Sequence, residues 1–257
     1  MLTKWKLMLT TLPFVAAITA LKFFLDYVLH FAGVVEFGDV GVVLTGGVFL
    51  TGFLLAGTMA DYKESEKLPG EVATTLEAIE DMFALAAMQK PAIDGKVLRR
   101  HMLTLTDAIR SWLVKKQTTV QVFGAIEAIS EAFSYLGQNG AGSTAGYALS
   151  PVDKLRKAVS RIDVISRTGF LPPAYALLEV LLVMILTLMM VAKFKSPVAE
   201  VVIVPTVALL NIYMLRLIKD IDDPFDFTED GKKRGGAEVD LFPIDEYRER
   251  LSKRIGS

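Results

Sequence analysis

The sequence contains no cysteine and only two histidines among its 257 residues. The absence of cysteine excludes disulfides, thiolate metal sites and cysteine nucleophiles, and it leaves the redox compartment open. The two histidines, His30 and His101, lie far apart in sequence, which excludes a histidine-rich metal centre. Because an enzyme site would need converging nucleophiles, bases or metal ligands, we interpret the chain as a non-enzyme.

The chain also lacks an excess of charge of either sign, since 28 Lys and Arg oppose 29 Asp and Glu. Without a basic field, nothing indicates nucleic acid as a partner. What the sequence has in quantity is apolar: 52% of its residues are hydrophobic and its mean hydropathy is +0.42. This composition is too apolar for an ordinary soluble domain and indicates an integral membrane protein.

Apolar stretches long enough to be transmembrane helices occupy residues 7–31, 41–60, 174–192 and 201–217. The region between the second and third stretches has a soluble composition with apolar residues at helical spacing. We therefore predict an all-α membrane protein with four transmembrane helices and a helical cytosolic domain inserted between the second and third. The predicted parts are a first transmembrane hairpin (1–60), a cytosolic region (61–171), a second hairpin (172–218) and a cytosolic tail (219–257).

Local signals divide the insert and the tail further. Asp94 predicts the N-cap of one helix, and a single further helix is predicted over 119–136. The Gly/Ser/Ala-rich stretch 138–149 predicts a mobile loop, and Ser150-Pro151 then predicts the start of a helix that ends by Gly169. Because a residue before proline avoids helical geometry, the last membrane helix should end near Asp223. The apolar stretch 239–244 is expected to dock on another surface such as a neighbouring subunit.

Charge distribution predicts the orientation of the chain. The link at 32–39 contains Glu36 and Asp39 but no lysine or arginine, whereas lysines flank the other ends of the first two stretches. By the positive-inside rule this link faces outward, so both termini are expected in the cytoplasm of a bacterial or archaeal inner membrane. Lys22 and Asp26, four residues apart, are expected to form an ion pair near the outer end of the first span, with an ion-binding role as the alternative. For Glu179, snorkelling and a functional role both stay open.

The second apolar stretch is the candidate pore helix. Residues 41–59 carry no charge, and Gly52, Ala56 and Ala60 recur every four positions. A face of small residues lets neighbouring helices approach closely, and we interpret this stretch as the wall of a pore. The same helix is predicted to continue into water until Pro69-Gly70.

An acidic cluster follows the last membrane stretch. Carboxylate oxygens suit a hard cation such as calcium, although the spacing does not match the helix–loop–helix calcium loop, and a solvated acidic turn is the favoured interpretation. The cluster consists of Asp222, Asp223, Asp226, Glu229 and Asp230.

Three tracts of the sequence resemble the bestrophin channels and their shorter bacterial relatives. Residues 60–69, ADYKESEKLP, resemble the tract that leaves the bestrophin pore helix, and residues 171–178, LPPAYALL, resemble the start of the third span. The DDPF tract at 222–225, with EVDLFP at 238–243, resembles the turn and tail after the fourth span. The central insert matches only in length and helicity.

The resemblance implies a homopentamer in the bilayer, with an axial pore lined by the second helix and narrowed by a hydrophobic neck. It implies conduction of small ions, either chloride or a monovalent cation, with no required cofactor and with calcium left open at the acidic turn. Glu36 and Asp39 would then form an acidic ring at the outer mouth, although ordinary solvated loop charges are the favoured interpretation. A non-conducting membrane scaffold or signalling subunit, whose cytosolic helices bind a partner, is the alternative function.

The neck is where the sequence departs from the family pattern. A gapless register anchored on Leu68-Pro69 puts Leu44, Val48 and Gly52 at the neck positions. Phe49 and Phe53 are each displaced by one residue, which turns them about 100° away from that face. The gapless register is favoured, and a register shifted by one, with both phenylalanines at the gate, stays open. The predicted pore-lining set is Leu44, Val48, Phe49, Gly52, Phe53 and Ala56.

Overall fold

The structure, a computed structural model, describes residues 3–31, 33–169 and 172–256, and these residues are mostly helical. Leu171 of the predicted LPPAYALL tract lies outside the described residues. The elements in chain order are α1 Thr3–Phe23, a π-helical turn Phe24–Val28, β1 Val35–Glu36, α2 Phe37–Ser65, α3 Leu68–Gln89, α4 Gly95–Leu113, α5 Thr119–Glu127, α6 Ile129–Gln138, α7 Gly142–Arg167, α8 Pro172–Val191, β2 Ala192–Lys193, α9 Pro197–Asp222 and α10 Phe242–Gly256.

The described residues divide into two compact units. We call the first the membrane unit; it lies within Met1–Tyr62, Gly169–Asp223 and Gly235–Ala237. We call the second the bundle unit; it lies within Lys63–Thr168, Pro224–Arg234 and Glu238–Ser257. Within the described part of the chain, four helical segments are long and apolar enough to cross a membrane, and they contain α1, α2, α8 and α9.

Interlocking apolar side chains hold the membrane unit together. Val15 of α1 packs with Ala208 and Ile212 of α9. The start of α2 packs on the end of α8, where Val40 and Met189 form a small core with Ala192. The strands β1 and β2, which the sequence did not predict, pair in parallel beside this core.

The bundle unit has a continuous core built from amphipathic helices. Phe83 of α3 meets Phe133 of α6 edge to face at 5.9 Å between ring centroids. Asp94 caps α4 as predicted, because its side chain accepts a 2.8 Å hydrogen bond from the backbone N–H of Lys96. The largest fully buried apolar side chains include Leu76, Ile79, Leu98, Met102, Leu105, Ile109, Ile126, Leu136 and Leu155.

Two predictions about the helices of the insert were wrong. Residues 142–149 are not a loop: α7 begins at Gly142 and contains Pro151 in its interior. Ala148, Pro151 and Val152 are buried, so tertiary burial outweighs the weak helix propensity of this stretch and the lost backbone bond at proline. The single helix predicted over 119–136 is divided at Ala128 into α5 and α6.

One helix boundary also differs from the prediction. α2 ends at Ser65, and Pro69 lies in the first turn of α3. Proline suits a first turn because its missing N–H would have no intrahelical acceptor there, so this proline marks a helix start. In the stretch 239–244, Val239, Leu241 and Ile244 are buried within the chain itself, whereas Phe242 is 60% exposed, so docking of this stretch on a neighbouring subunit stays a prediction. The end of α9 at Asp222 confirms the boundary predicted from the following Asp-Pro.

Candidate functional site

One face of α2 packs on its own chain. Val40, Gly47 and Thr58 are buried, and Leu44 is partly buried against the core that Val40 forms with the end of α8. A Cβ atom added at Gly47 would lie 2.6 Å from Cδ1 of Ile185 in α8. Glycine therefore permits the close approach of α2 to α8 at this point.

The opposite face of α2 is uncovered in the single chain. Phe49 is 73% exposed and Phe53 is 69% exposed, and their spacing of four residues places them on one side of the helix. Ala56 and Ala60 continue the same side and are exposed too. The helix thus combines one packed face with one open face that carries two large phenyl rings and no charge.

The predicted pore-lining residues fall on different sides of α2. Phe49, Phe53 and Ala56 lie on the open face, and Val48 and Gly52 are exposed at its flank. Leu44 differs from the others because it packs on its own chain. Lining of a pore by any of them stays a prediction.

The two acidic residues predicted at the pore mouth are both exposed. Glu36 lies in β1, where it is in register with Lys193 of β2. Asp39 lies in the first turn of α2, where a carboxylate is favoured by the helix dipole.

The structure confirms the ion pair between Lys22 and Asp26, whose charged atoms are 2.7 Å apart. The sequence did not reveal a third member, Glu200, a buried carboxylate in the first turn of α9. An acid among apolar residues was the signal available, but its proximity to Asp26 depends on packing. Glu179 is paired as well, since Lys219 donates a 2.6 Å hydrogen bond to it.

The acidic turn after α9 is held by ion pairs. Asp226 accepts a 2.7 Å hydrogen bond from Lys115 and lies 3.7 Å from Arg234. Lys115 has a left-handed backbone, with φ of 60°, at the residue that follows the C-cap of α4. Its N–H bonds to Trp112 and that of the next residue bonds to Ser111, which is the Schellman arrangement that usually takes glycine.

No group of three or more histidine or carboxylate side chains is arranged to hold a metal ion within the described ranges. The observed cationic partners in the turn are those of Asp226, and calcium binding at Asp222, Asp223, Asp226, Glu229 and Asp230 stays a prediction.

These features define an integral membrane protein, mostly helical, with one long apolar helix that leaves a broad face open. No protein-family model matches the chain, and no curated protein matches it in sequence. Solved structures do match its fold. A bestrophin homologue from Klebsiella pneumoniae superimposes with a TM-score of 0.79 at 10% identity, covering 97% of this chain and 99% of that chain.

Two single-residue variants of a bestrophin homologue from the same organism match similarly. One gives a TM-score of 0.78 at 11% identity, covering 99% of this chain and 98% of that chain. The other gives 0.73 at 13% identity and covers the whole of both chains, 100% each. The chain therefore has a bestrophin-like fold, and the resemblance predicted from the three tracts is confirmed at the level of the fold.

Proposed function

We propose that the chain is a bestrophin-like ion channel, in which copies of α2 surround an axial pore for small ions. The observation that carries the proposal is the open face of α2 with Phe49 and Phe53 at its centre, on a helix without charge over residues 41–59. An uncharged helix with bulky rings on one face suits a hydrophobic constriction, which gates ions by excluding water.

The assembly that this function requires is a cyclic homo-oligomer, a homopentamer by analogy with the family. In such a ring the other membrane helices of each chain lie behind α2, so the face opposite to them points to the axis. That geometry favours Phe49 and Phe53 at the narrowest point, with Ala56 below them and with Val48 and Gly52 at the flank. Leu44 then supports the wall from behind, which is the register shifted by one residue.

The proposed orientation follows from charge. With four spans and an inserted helical domain, lysine-rich ends face the cytoplasm and both termini lie there, in a bacterial or archaeal inner membrane. Glu36 and Asp39 then lie at the outer mouth, where exposed carboxylates raise the local concentration of cations. The permeant ion is chloride or a monovalent cation.

Ion flux through proteoliposomes containing the purified full chain tests the proposal. We expect Phe49→Ala and Phe53→Ala each to change the current, because each removes a ring from the constriction. Phe24→Ala is the matched control: its ring is 49% exposed on another membrane segment, and its removal should leave the current unchanged. The reversal potential in asymmetric salt separates anion from cation conduction.

Two results would contradict this function, and a third would contradict only the proposed register of α2. A monomer or dimer in detergent and lipid would remove the axial pore. An intact ring without flux would favour the scaffold or signalling alternative. A current that responds to Leu44→Ala but to neither phenylalanine variant would contradict the shifted register while leaving the channel in place.

A further inference from the structure

A buried cluster of charged side chains joins α1, the π-helical turn, the end of α8 and the start of α9 in the membrane unit. Lys22, at the end of α1, is 1% exposed. Its ammonium donates to Asp26 in the π-helical turn and to the backbone carbonyls of Met190 and Ala192, at 3.2 and 3.0 Å, where α8 ends. An ammonium has three N–H donors, so these partners use all of them.

Glu200 completes the cluster from the first turn of α9. Glu200 is only 7% exposed, and its Oε1 atom is buried without a hydrogen-bond donor. The Glu200 carboxyl lies beside the Asp26 carboxyl, within hydrogen-bonding range. The Lys22 ammonium is the cation that attracts the Glu200 carboxyl electrostatically. The titratable side chains in the neighbouring segments 27–39 and 193–195 are all exposed: Tyr27, His30, Glu36, Asp39, Lys193 and Lys195.

The charges of this cluster balance only if one carboxyl is neutral. The ammonium and the Asp26 carboxylate cancel, so an ionised Glu200 would be a net negative charge inside a membrane unit. The N-terminal end of α9 offsets about half of a unit charge at most, and burial of an unpaired carboxylate is strongly unfavourable. Two carboxylates in contact also repel each other, and one bound proton converts that repulsion into a hydrogen bond.

We propose that Asp26 and Glu200 form a proton-binding site in which one proton is shared between the two carboxyl groups beside the Lys22 ammonium. The proton makes the cluster neutral and turns the carboxyl contact into a link between the π-helical turn and α9. Loss of the proton leaves two carboxylates facing one ammonium and weakens that link. The site does not depend on ion conduction, because its residues and contacts lie outside α2.

Infrared spectroscopy of the purified full chain in detergent tests the site directly. At neutral pH we expect the C=O stretching band of a protonated carboxylic acid, and this band should disappear when the sample is made alkaline. Glu200→Gln, which keeps the shape and neutrality of the protonated side chain, should fold and lack the band. Glu179→Gln is the control, since Glu179 is exposed and paired with Lys219, and this variant should keep the band.

The outcomes separate a proton from other occupants. Absence of a protonated carboxyl band in the wild type at neutral pH would overturn the proposal, as would a band that persists in Glu200→Gln. If sodium raises the melting temperature of the wild type but not of Glu200→Gln, and no protonated band is found, the site binds a cation and the proposal is wrong. Should Glu200→Gln fail to fold, loss of the wild-type band on alkalinisation, with the helical signal unchanged, decides the question.

Discussion

The sharpest stability prediction concerns Glu80, a carboxylate at the meeting point of three helices of the bundle unit. Its side chain is 3% exposed, and it accepts hydrogen bonds from Arg254 of α10 at 2.8 Å and from Arg99 of α4 at 3.3 Å. Replacing Arg254 by methionine removes the shorter of the two arginine bonds and leaves the buried carboxylate with the weaker Arg99 bond and the neighbouring Tyr247 hydroxyl. The resulting change in the free energy of unfolding therefore measures how much this ion pair contributes to the packing of α10 on α3 and α4.

The expected loss in the free energy of unfolding follows from these contacts. Removing one partner of a buried ion pair costs about 3–5 kcal/mol when no other partner remains. Because Arg99 still bonds to Glu80, we expect about 2 kcal/mol for Arg254→Met, in the range of a hydrogen bond to a charged group. Arg250→Met is the matched control one turn earlier in α10, since its partner Glu77 is a third exposed. A partly exposed pair of this kind contributes less than about 1 kcal/mol.

Denaturant unfolding in detergent, followed by tryptophan fluorescence, measures both changes. The chain has two tryptophans; Trp112 lies buried in the bundle unit and Trp5 is exposed, so a Trp5→Phe background makes Trp112 the single reporter. Adding Glu80→Gln to Arg254→Met should recover part of the loss, because the amide leaves no charge buried. Equal losses for Arg254→Met and Arg250→Met, or no recovery in the double variant, would refute this account of Glu80.

Three further predictions concern packing, capping and pH. Gly47→Leu should destabilise the membrane unit by about 1–3 kcal/mol, because the new side chain overlaps Ile185. The measurement is the melting temperature, which should fall. Thr118→Ala should cost about 0.5–2 kcal/mol in denaturant unfolding by removing the capping box of α5. The hydrogen bond from Arg161 lowers the pKa of Glu64 below its ordinary 4.5, so this pair stabilises the fold above that range and its contribution is lost as pH falls through the lowered pKa.

Each of these predictions has a result that would contradict it. A Cβ atom added at Gly46 meets no atom within 4 Å, so Gly46→Leu should be tolerated, and equal sensitivity at both glycines would contradict the packing argument. An unchanged unfolding midpoint for Thr118→Ala would remove the capping box from the account of α5. Arg161→Gln should reduce the loss of unfolding free energy between neutral and acid pH by less than about 1 kcal/mol, since both partners are partly exposed. An acid limb identical to that of the wild type would contradict the pairing.

Much of the local structure follows from short-range patterns. Asp94 and the Asp-Pro at 223–224 identify helix ends because capping and proline geometry act within a few residues. The Lys22–Asp26 pair is equally local, since residues four apart share a helix face. The loop predicted at 142–149 was wrong for the opposite reason: small residues indicate a loop, and the burial that makes this stretch helical depends on tertiary packing.

The sequence by itself determined that the chain is apolar, helical and bestrophin-like, because hydrophobic length, periodicity and short motifs are properties of neighbouring residues. Only the tertiary structure decided which face of α2 is open, since α8 covers Leu44 and Gly47 and leaves Phe49 and Phe53 exposed. It alone brought Glu200 to Asp26, because contacts between residues so distant along the chain depend on how whole helices pack. Once buried, the Glu200 carboxyl requires a bound proton or a cation to neutralise its charge.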